Sequence, residues 1–484
     1  MIGPARAGGG ASARRAALAL AVAALVCFGA LRIGPAEAGP FEPPNVHVVM
    51  TDDQRTSDMT ALPETRRLIG REGTRFMRSY ASFPLCCPSR ATYQTGLYAH
   101  NHGVQDNNPP NGGAAVFRDS GLTDDTVAVA LQNAGYQTAL FGKYMNGYPA
   151  LTLEDPPYIP PGFTKWAAFA AAGRMQNWKQ IVNGRIVEHG FEASDYQTDV
   201  LARQASRFIR DSADSDLPFF VTVAPLAPHI EQRFTEPKRN PRPAKRDRTA
   251  FEGAPLDPRP SFNEADVSDK PAATQARPRF TVDERQAIKA RKNDRLASLL
   301  AVDDMVVRLI DTLAEAGELE NTLVVFTSDN GFLLGEHRIP SGKNAAYDEA
   351  TRVPLFVRGP GIPERRRILS PAVNVDVPAT IYDVTGVAPP LVQEGIPLTD
   401  LAEDPGAYED RPVLIETTNG RALRTADYLY VEHGTPPDEF ELYDLALDPY
   451  ELVSVHDDPA YQDVRDDLAQ TLDELKDCEG VECR

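Results

Sequence analysis

Two short apolar runs, each breaking off into oxygen-bearing side chains, constrain the fold of this chain more than any other feature. Asn45 to Met50 (NVHVVM) leads into Thr51-Asp52-Asp53, and Leu323 to Phe326 (LVVF) leads into Ser328-Asp329-Asn330-Gly331. Continuous β-branched runs bounded by polar turns read as strands buried on both faces, in a sheet covered by helices on either side. Between the two, Asp124 to Ala134 reads as a helix stopped by Gly135, Tyr136 to Phe141 as a strand, and Pro218 to Ala224 (PFFVTVA) as a further core strand. From Arg295 to Leu313 apolar residues return at helical spacing, with Gly317 as the stop. This alternation is the rhythm of an α/β fold.

A chain of 484 residues is too long for one small core, so a large domain over 39–370 and a smaller one over 371–484 are expected. Residues 230–280, rich in Pro, Arg, Lys and Asp without apolar periodicity, read as a surface insertion in the first. Short strands at Val413 to Glu416 and Tyr428 to Glu432 mark the second. Acidic residues outnumber basic ones 69 to 50. That field repels nucleic acid and anionic membranes, so neither is an expected partner, and an anionic substrate must be drawn by local cations.

At the amino terminus, Arg6, Arg14 and Arg15 precede a small-residue apolar run from Ala16 to Leu31 and an Ala36-Glu37-Ala38 cleavage pattern. This is the order of a secretory signal peptide, residues 1–38. The run falls short of the roughly 20 apolar residues of a spanning helix, so the mature protein is expected to be secreted or periplasmic with no membrane span. Cleavage removes Cys27 and leaves Cys86, Cys87, Cys478 and Cys483. The last two are spaced to close a small C-terminal loop, whereas adjacent Cys86 and Cys87 are awkward partners for each other.

Open α/β sheets place their sites just beyond the carboxyl ends of strands. Asp52, Asp53, Asp329 and Asn330 are therefore candidates to converge as a hard oxygen shell, suited to Ca²⁺ or Mg²⁺ rather than zinc, with Ca²⁺ favoured for its looser geometry. Either pair alone would be an ordinary loop or helix cap; their repetition after two strands points to a metal. In Cys86-Cys87-Pro88-Ser89-Arg90-Ala91-Thr92-Tyr93-Gln94-Thr95-Gly96, Pro88 suits the first helical position and Gly96 the stop. The cysteines then sit at a helix N-terminus, which attracts anions, with Arg90 one turn in.

The run C-x-P-S-R followed by A-T-x-x-T-G resembles the signature of the type I sulfatases. The resemblance implies an alkaline-phosphatase-like large mixed sheet flanked by helices, with a smaller C-terminal α+β subdomain. It also implies a secreted, calcium-dependent enzyme hydrolysing sulfate esters, in which Cys86 is oxidised to formylglycine by a formylglycine-generating enzyme and Cys87 fills a variable position. On this pattern Asp52, Asp53, Asp329, Asn330 and the converted Cys86 bind calcium, and Arg90 holds the formylglycine. Phe141-Gly142-Lys143-Tyr144 resembles the family's G-K-[WY] segment, Ala227-Pro228-His229 its P-H segment, and Gly342-Lys343 through Tyr347-Asp348 to Arg352-Val353-Pro354 its G-K-x₃-Y-[ED]-x₃-R-x-P segment. Lys143 and Lys343 then bind the sulfate, and His229 touches the ester and serves its leaving oxygen. A hydrated formylglycine supplies one hydroxyl as nucleophile and a second that expels sulfate.

Many sulfatases carry histidine two residues after the first lysine, but here Met145 and Asn146 follow Tyr144. GKYMN and the double cysteine look more like the branch of N-acetylglucosamine-6-sulfatase and the extracellular endosulfatases, which implies a sulfated sugar as substrate. His100 and His102 read as scaffold, and His337 as a pocket candidate. Two rival readings are a phosphodiesterase or phosphonate hydrolase of the same superfamily and a non-catalytic binder of sulfated glycans with Cys86 unconverted.

Overall fold

Both anchor strands form where the apolar runs predict them, as Asn45–Thr51 and Thr322–Ser328, every residue of each buried. The computed structural model describes residues 43–484, apart from 155, 171–172, 216, 234–235, 257–258 and 435–436 and the side chains of 232–239. The signal-peptide segment 1–38 lies outside the described residues. Among these a sheet of ten strands runs, edge to edge, Arg366–Ile368, Thr74–Phe76, Leu355–Arg358, Thr322–Ser328, Asn45–Thr51, Phe219–Ala224, Gln137–Gly142, Lys165–Phe169, Trp178–Val182 and Arg185–His189. The five strands from Thr322–Ser328 to Lys165–Phe169 are mutually parallel, and antiparallel pairs flank them on both sides. The sheet is therefore mixed.

Alternation along the central strands feeds two cores. Val49, Val221, Val223, Val324 and Phe326 point to one face, where they meet Leu201, Ala205 and Ile209 of helix Gln197–Ala213 and Leu299, Val302, Val306 and Leu309 of helix Val282–Glu315. Val46, Val48, Phe220, Leu323 and Val325 point to the other, against Val127 and Leu131 of helix Val127–Asn133 and Val377 and Ile381 of helix Asp376–Thr385. Full burial of one such side chain contributes about 1.5–3 kcal/mol, so the two cores together hold the sheet between its helical layers.

A second sheet of four antiparallel strands, Val413–Thr417, Gly420–Arg424, Tyr428–Gly434 and Pro437–Asp444, lies C-terminally. Its apolar face, with Leu468 and Leu472 of helix Gln462–Leu475, shares a core with Tyr80, Tyr98, Leu333 and Tyr347. Cys478 and Cys483 are disulfide-bonded. No helix of the described residues is long and apolar enough to cross a membrane.

Three local expectations are modified. The helix read over 295–313 starts at Val282, because Thr281 and Glu284 form a reciprocal capping box. The helix carrying the adjacent cysteines starts at Cys86, which puts Pro88 third rather than first; a missing N–H costs little there too, since the first four amides have no partner within the helix. Residues 230–280, expected as a surface insertion, are anchored by polar contacts: Ser261, Asn263, Glu264 and Lys270 are buried. Glu264 accepts from His337 Nδ1 at 2.8 Å, and Lys270 Nζ donates to the Leu452 carbonyl at 2.7 Å.

Candidate functional site

Four neighbouring parallel strands end on the same side of the sheet, and each leads into a loop carrying residues singled out in the sequence. Asp329 and Asn330 follow Thr322–Ser328, Asp52 and Asp53 follow Asn45–Thr51, Ala227-Pro228-His229 follows Phe219–Ala224, and Lys143 follows Gln137–Gly142. The register keeps them level, with Thr51 beside Ser328 and Gly142 beside Ala224. Gly142 is required at its place: its φ is 116°, and a Cβ there would lie 2.0 Å from the Ala224 carbonyl oxygen. Asp53 itself has φ 67°, which turns the chain sharply after Asp52.

Cys86 opens helix Cys86–Thr95 over this row, its Sγ 3.6 Å from Asp52 Oδ1 and 4.0 Å from Asp53 Oδ1. Arg90, four residues on and so on the same helix face, donates from Nε to Asp329 Oδ2 at 2.9 Å and from Nη1 to the Lys143 carbonyl at 2.9 Å. Lys143 Nζ lies 2.7 Å from Asp52 Oδ2. Lys343 arrives on a loop whose next residue, Asn344, donates its backbone N–H to the Pro84 carbonyl at 2.8 Å. That pins Lys343 beside Cys86, with Nζ 2.6 Å from Sγ and paired with Asp53. His229 Nε2 faces Asp53 Oδ2 at 3.6 Å, and its Nδ1 donates to the Ile230 carbonyl at 2.6 Å.

The electrostatics follow from packing these groups out of water. Burial opposes ionisation of Asp52, but His229, Lys143, Arg90 and Lys343 outweigh it and hold its pKa below the usual carboxylate range. Asp53 behaves likewise, with Lys343 and His229 as the main opposing influences. Burial alone would lower Lys143 and Lys343; the carboxylates of Asp52 and Asp53, respectively, reverse this and keep both ammonium groups charged. Burial pushes the Cys86 thiol well up, and the Cys87 thiol up to about 11. Burial also pushes His229 down, against the pull of Asp52 and Asp53.

Two buried oxygens, Asp53 Oδ2 and Asn330 Oδ1, have no hydrogen-bond partner among the described residues. Orphaned acceptors in a dry site are costly unless a cation or water answers them. Charge points the same way: Asp52, Asp53 and Asp329 balance Arg90, Lys143 and Lys343, leaving no surplus for an anionic ligand until a divalent cation is added. The donor set fits a hard ion.

Several contributors escaped the sequence reading. Arg295, fully buried, donates from Nη2 to the Asp53 carbonyl at 2.5 Å and to Asp58 Oδ2 at 3.0 Å, and from Nη1 to the Pro228 carbonyl at 3.2 Å. It ties two of the four loops together; its signal was a charge on the apolar face of a helix. Cys87 accepts the Asn146 N–H on Sγ at 3.1 Å while its own N–H donates to Asn107 Oδ1 at 2.8 Å. A cavity of about 320 Å³ opens beside Lys143 and His229, walled by Asn108, Met145, Asn146, Tyr148, Phe169 and Leu226. The other histidines lie elsewhere: His102 bonds Thr92 and Val104, His100 bonds Glu416 and the Cys478 carbonyl, and His337 is buried against Glu264 and Tyr347.

The family profile described as Sulfatase matches residues 44–387, and one described as N-sulphoglucosamine sulphohydrolase, C-terminal, matches 335–478. The chain is 34% identical over 366 residues to a human N-acetylglucosamine-6-sulfatase, covering 75% of this chain and 64% of that protein. It is 32% identical over 357 residues to an extracellular sulfatase SULF-1 homolog of Drosophila melanogaster, covering 73% and 30%. It spans 30% to 64% of the length of such animal relatives. Among solved structures, one described as in complex with its substrate D-glucosamine-2-N,6-O-disulfate superposes with a TM-score of 0.73 at 25% identity, covering 89% of this chain and 97% of that one. A phosphonate monoester hydrolase of Agrobacterium radiobacter shares the fold, with a TM-score of 0.67 at 23% identity over 90% and 95% of the two chains. By the extent of the profile match and the identity to these relatives, the chain belongs to the sulfatase family.

Proposed function

We propose that this protein is an exported sulfuric ester hydrolase acting on sulfated sugars, with Cys86 converted to formylglycine by a formylglycine-generating enzyme and one Ca²⁺ bound by Asp52, Asp53, Asp329, Asn330 and the converted residue. The observation that carries the reading is the gathering of two lysines, an arginine, a histidine and a hard oxygen set around one buried cysteine. Formylglycine and the cation supply a nucleophilic hydroxyl and fixed positive charge for the sulfuryl oxygens.

The protein's own residues do the rest. Lys143 pairs with Asp52 and Lys343 with Asp53, so a sulfate held between the two lysines exchanges carboxylate contacts for ester oxygens while both ammonium groups stay charged. Arg90 is held by Asp329 and fixes the helix start that carries the nucleophile. The His229 Nδ1 hydrogen is committed to a carbonyl, so donation from Nε2 to a leaving oxygen requires the imidazolium. A bound sulfate monoanion favours that form in the same sense as Asp52 and Asp53 do.

The cavity beside Lys143 and His229 combines amide and apolar walls, as a sugar ring with one polar and one apolar face requires. Together with the relatives named N-acetylglucosamine-6-sulfatase, this supports 6-O-sulfated glucosamine as the preferred unit. Peptide mass spectrometry of the exported protein should find the formylglycine mass at position 86 and an intact thiol at 87. Turnover of glucosamine-6-sulfate should exceed that of galactose-6-sulfate, glucosamine-N-sulfate and matched phosphate or phosphonate esters. An active protein with both thiols intact, or an active Cys86→Ala variant, sinks the mechanism; faster turnover of the phosphorus esters moves the protein to the phosphonate-hydrolase reading.

A further inference from the structure

Far from the site, two arginine-rich stretches meet at one edge of the large sheet. Edge strand Arg366–Ile368 pairs in parallel with Thr74–Phe76, setting Arg366 beside Thr74 and Arg367 beside Arg75. Arg66 sits in the last turn of helix Pro63–Leu68, Arg71 in the following turn, and Arg365 just ahead of the edge strand. Five of these six arginines are exposed and Arg75 is half-buried. Among the described residues, neighbouring Arg67 pairs with Glu64 at 2.6 Å and Arg358 reaches Glu320 at 3.5 Å, but none of the six has a carboxylate in ion-pair range. Arg75 Nε is buried without a hydrogen-bond partner among those residues. Burial, with the charges of Arg367, Arg66 and Arg71, depresses its pKa.

A gathering of like charges is unfavourable, and the chain as a whole carries a net charge of −19, so a cationic edge is a local reversal of field. Charges on an edge strand discourage strand-to-strand aggregation. That accounts for Arg366 and Arg367 but not for Arg66, Arg71 and Arg75 gathering beside them. Arg365 and Arg366 lie at the amino end of the edge strand, which runs in the same direction as the central strands that carry the site at their carboxyl ends, with Leu355–Arg358 antiparallel between them, so the patch is separate from the cavity beside Lys143.

We propose that this arginine edge is a docking surface for a sulfated polysaccharide chain, which it grips through several sulfate groups while the site acts on another unit. The inference rests on the sulfated-sugar reading above for the identity of the polyanion. Guanidinium forks match the paired oxygens of a sulfate, and several weak contacts along one chain raise the local concentration of cleavable esters. The geometry favours a flexible anionic polymer over a single small anion, because the six groups are spread along two strands, a turn and a helix end.

The test uses the full exported chain and heparin as the polymer, with binding measured by calorimetry at 50 and 200 mM salt. Arg366→Ser/Arg367→Ser should weaken heparin binding tenfold or more at 50 mM. It should also flatten the dependence of log affinity on log salt by about two, near one per lost contact. Turnover of nitrophenyl sulfate should be unchanged. Arg285→Ala/Lys289→Ala, equal in charge change on helix Val282–Glu315, is the control and should leave heparin binding within about twofold. Unchanged affinity in the edge variant, equal loss in the control, or duplex DNA or anionic vesicles bound as tightly as heparin at matched salt overturns the proposal. Arg367→Gln alone, with a thermal melt, answers the same question if the double variant does not fold. Because binding is read without turnover, an inactive protein that grips heparin faults only the catalytic reading, and an active one that does not faults only this one.

Discussion

Replacing Glu349 by Gln should stabilise the protein at alkaline pH and do nothing at acid pH. Glu349 lies in the short helix Asp348–Thr351, whose carbonyls at 349 and 350 receive the N–H groups of Phe332 and Gly331, just past the Asp329-Asn330 pair. Its side chain accepts from Arg259 Nη1 at 3.1 Å. Burial, with repulsion from Glu336, Glu451 and Asp348, pushes its pKa up from the usual 4.5 to about 7. A pKa raised in the folded state means the fold holds that proton more tightly than the unfolded chain does. The stabilising contribution is thus fully present below about pH 4.5 and is lost as pH rises through about 7. At about 1.4 kcal/mol per tenfold, the gap amounts to about 3 kcal/mol. Glutamine is neutral, has the same shape and keeps the oxygen that Arg259 needs. With an unfolding entropy of about 2.1 cal/mol/K per residue over roughly 440 residues, 3 kcal/mol corresponds to about 3 °C in Tm. Calorimetric scans of wild type and Glu349→Gln at pH 4.5 and pH 8 should show a difference near zero at the first and about +3 °C at the second. A variant that melts lower at pH 8, or by the same margin at both, refutes the argument.

What could be read from sequence was whatever a local pattern fixes. The strands at Asn45 and Thr322 were legible because burial on both faces leaves an unbroken apolar run, and the oxygen cluster was legible because parallel strands must deliver their next residues to one edge. Helix Val282–Glu315 was half legible: its second half carries the apolar face, whereas residues 282–294 are polar almost all round and are held as helix by the Thr281 capping box. Arg90 was legible from helix spacing, one turn in from the cysteines, whereas Lys343 was found through motif spacing alone, since nothing local says that the loop after Gly342 folds back on Pro84. Arg295 and the Cys87–Asn146 contact were missed because each joins elements distant in sequence. Anchoring of residues 230–280 was missed for a related reason: it depends on buried polar contacts such as Glu264–His337, which leave no periodicity.

Two further outcomes concern the site. Dialysis against a chelator should abolish turnover and added Ca²⁺ should restore it; Asp329→Ala should lose the ion by elemental analysis and, by stranding Arg90 in a buried pair, destabilise the fold by about 3–5 kcal/mol. Full activity after exhaustive chelation contradicts the metal assignment. Cys87 should matter through the cavity wall rather than through chemistry. Its Sγ takes the N–H of Asn146 at 3.1 Å, and Asn146 faces the cavity beside Lys143. Cys87→Ala removes that acceptor from a half-buried residue, at a cost of about 0.5–1.5 kcal/mol, the net worth of one hydrogen bond. Felt partly at the wall, this should raise KM for glucosamine-6-sulfate roughly three- to tenfold and leave most of kcat, since 1.4 kcal/mol is tenfold. Cys87→Ser, whose hydroxyl accepts the same N–H, should recover most of the loss, and a small nitrophenyl sulfate that touches less of the wall should feel either change less. Equal effects of Ala and Ser, or a loss of kcat on both substrates without a change in KM, would show that the thiol does not act by holding Asn146.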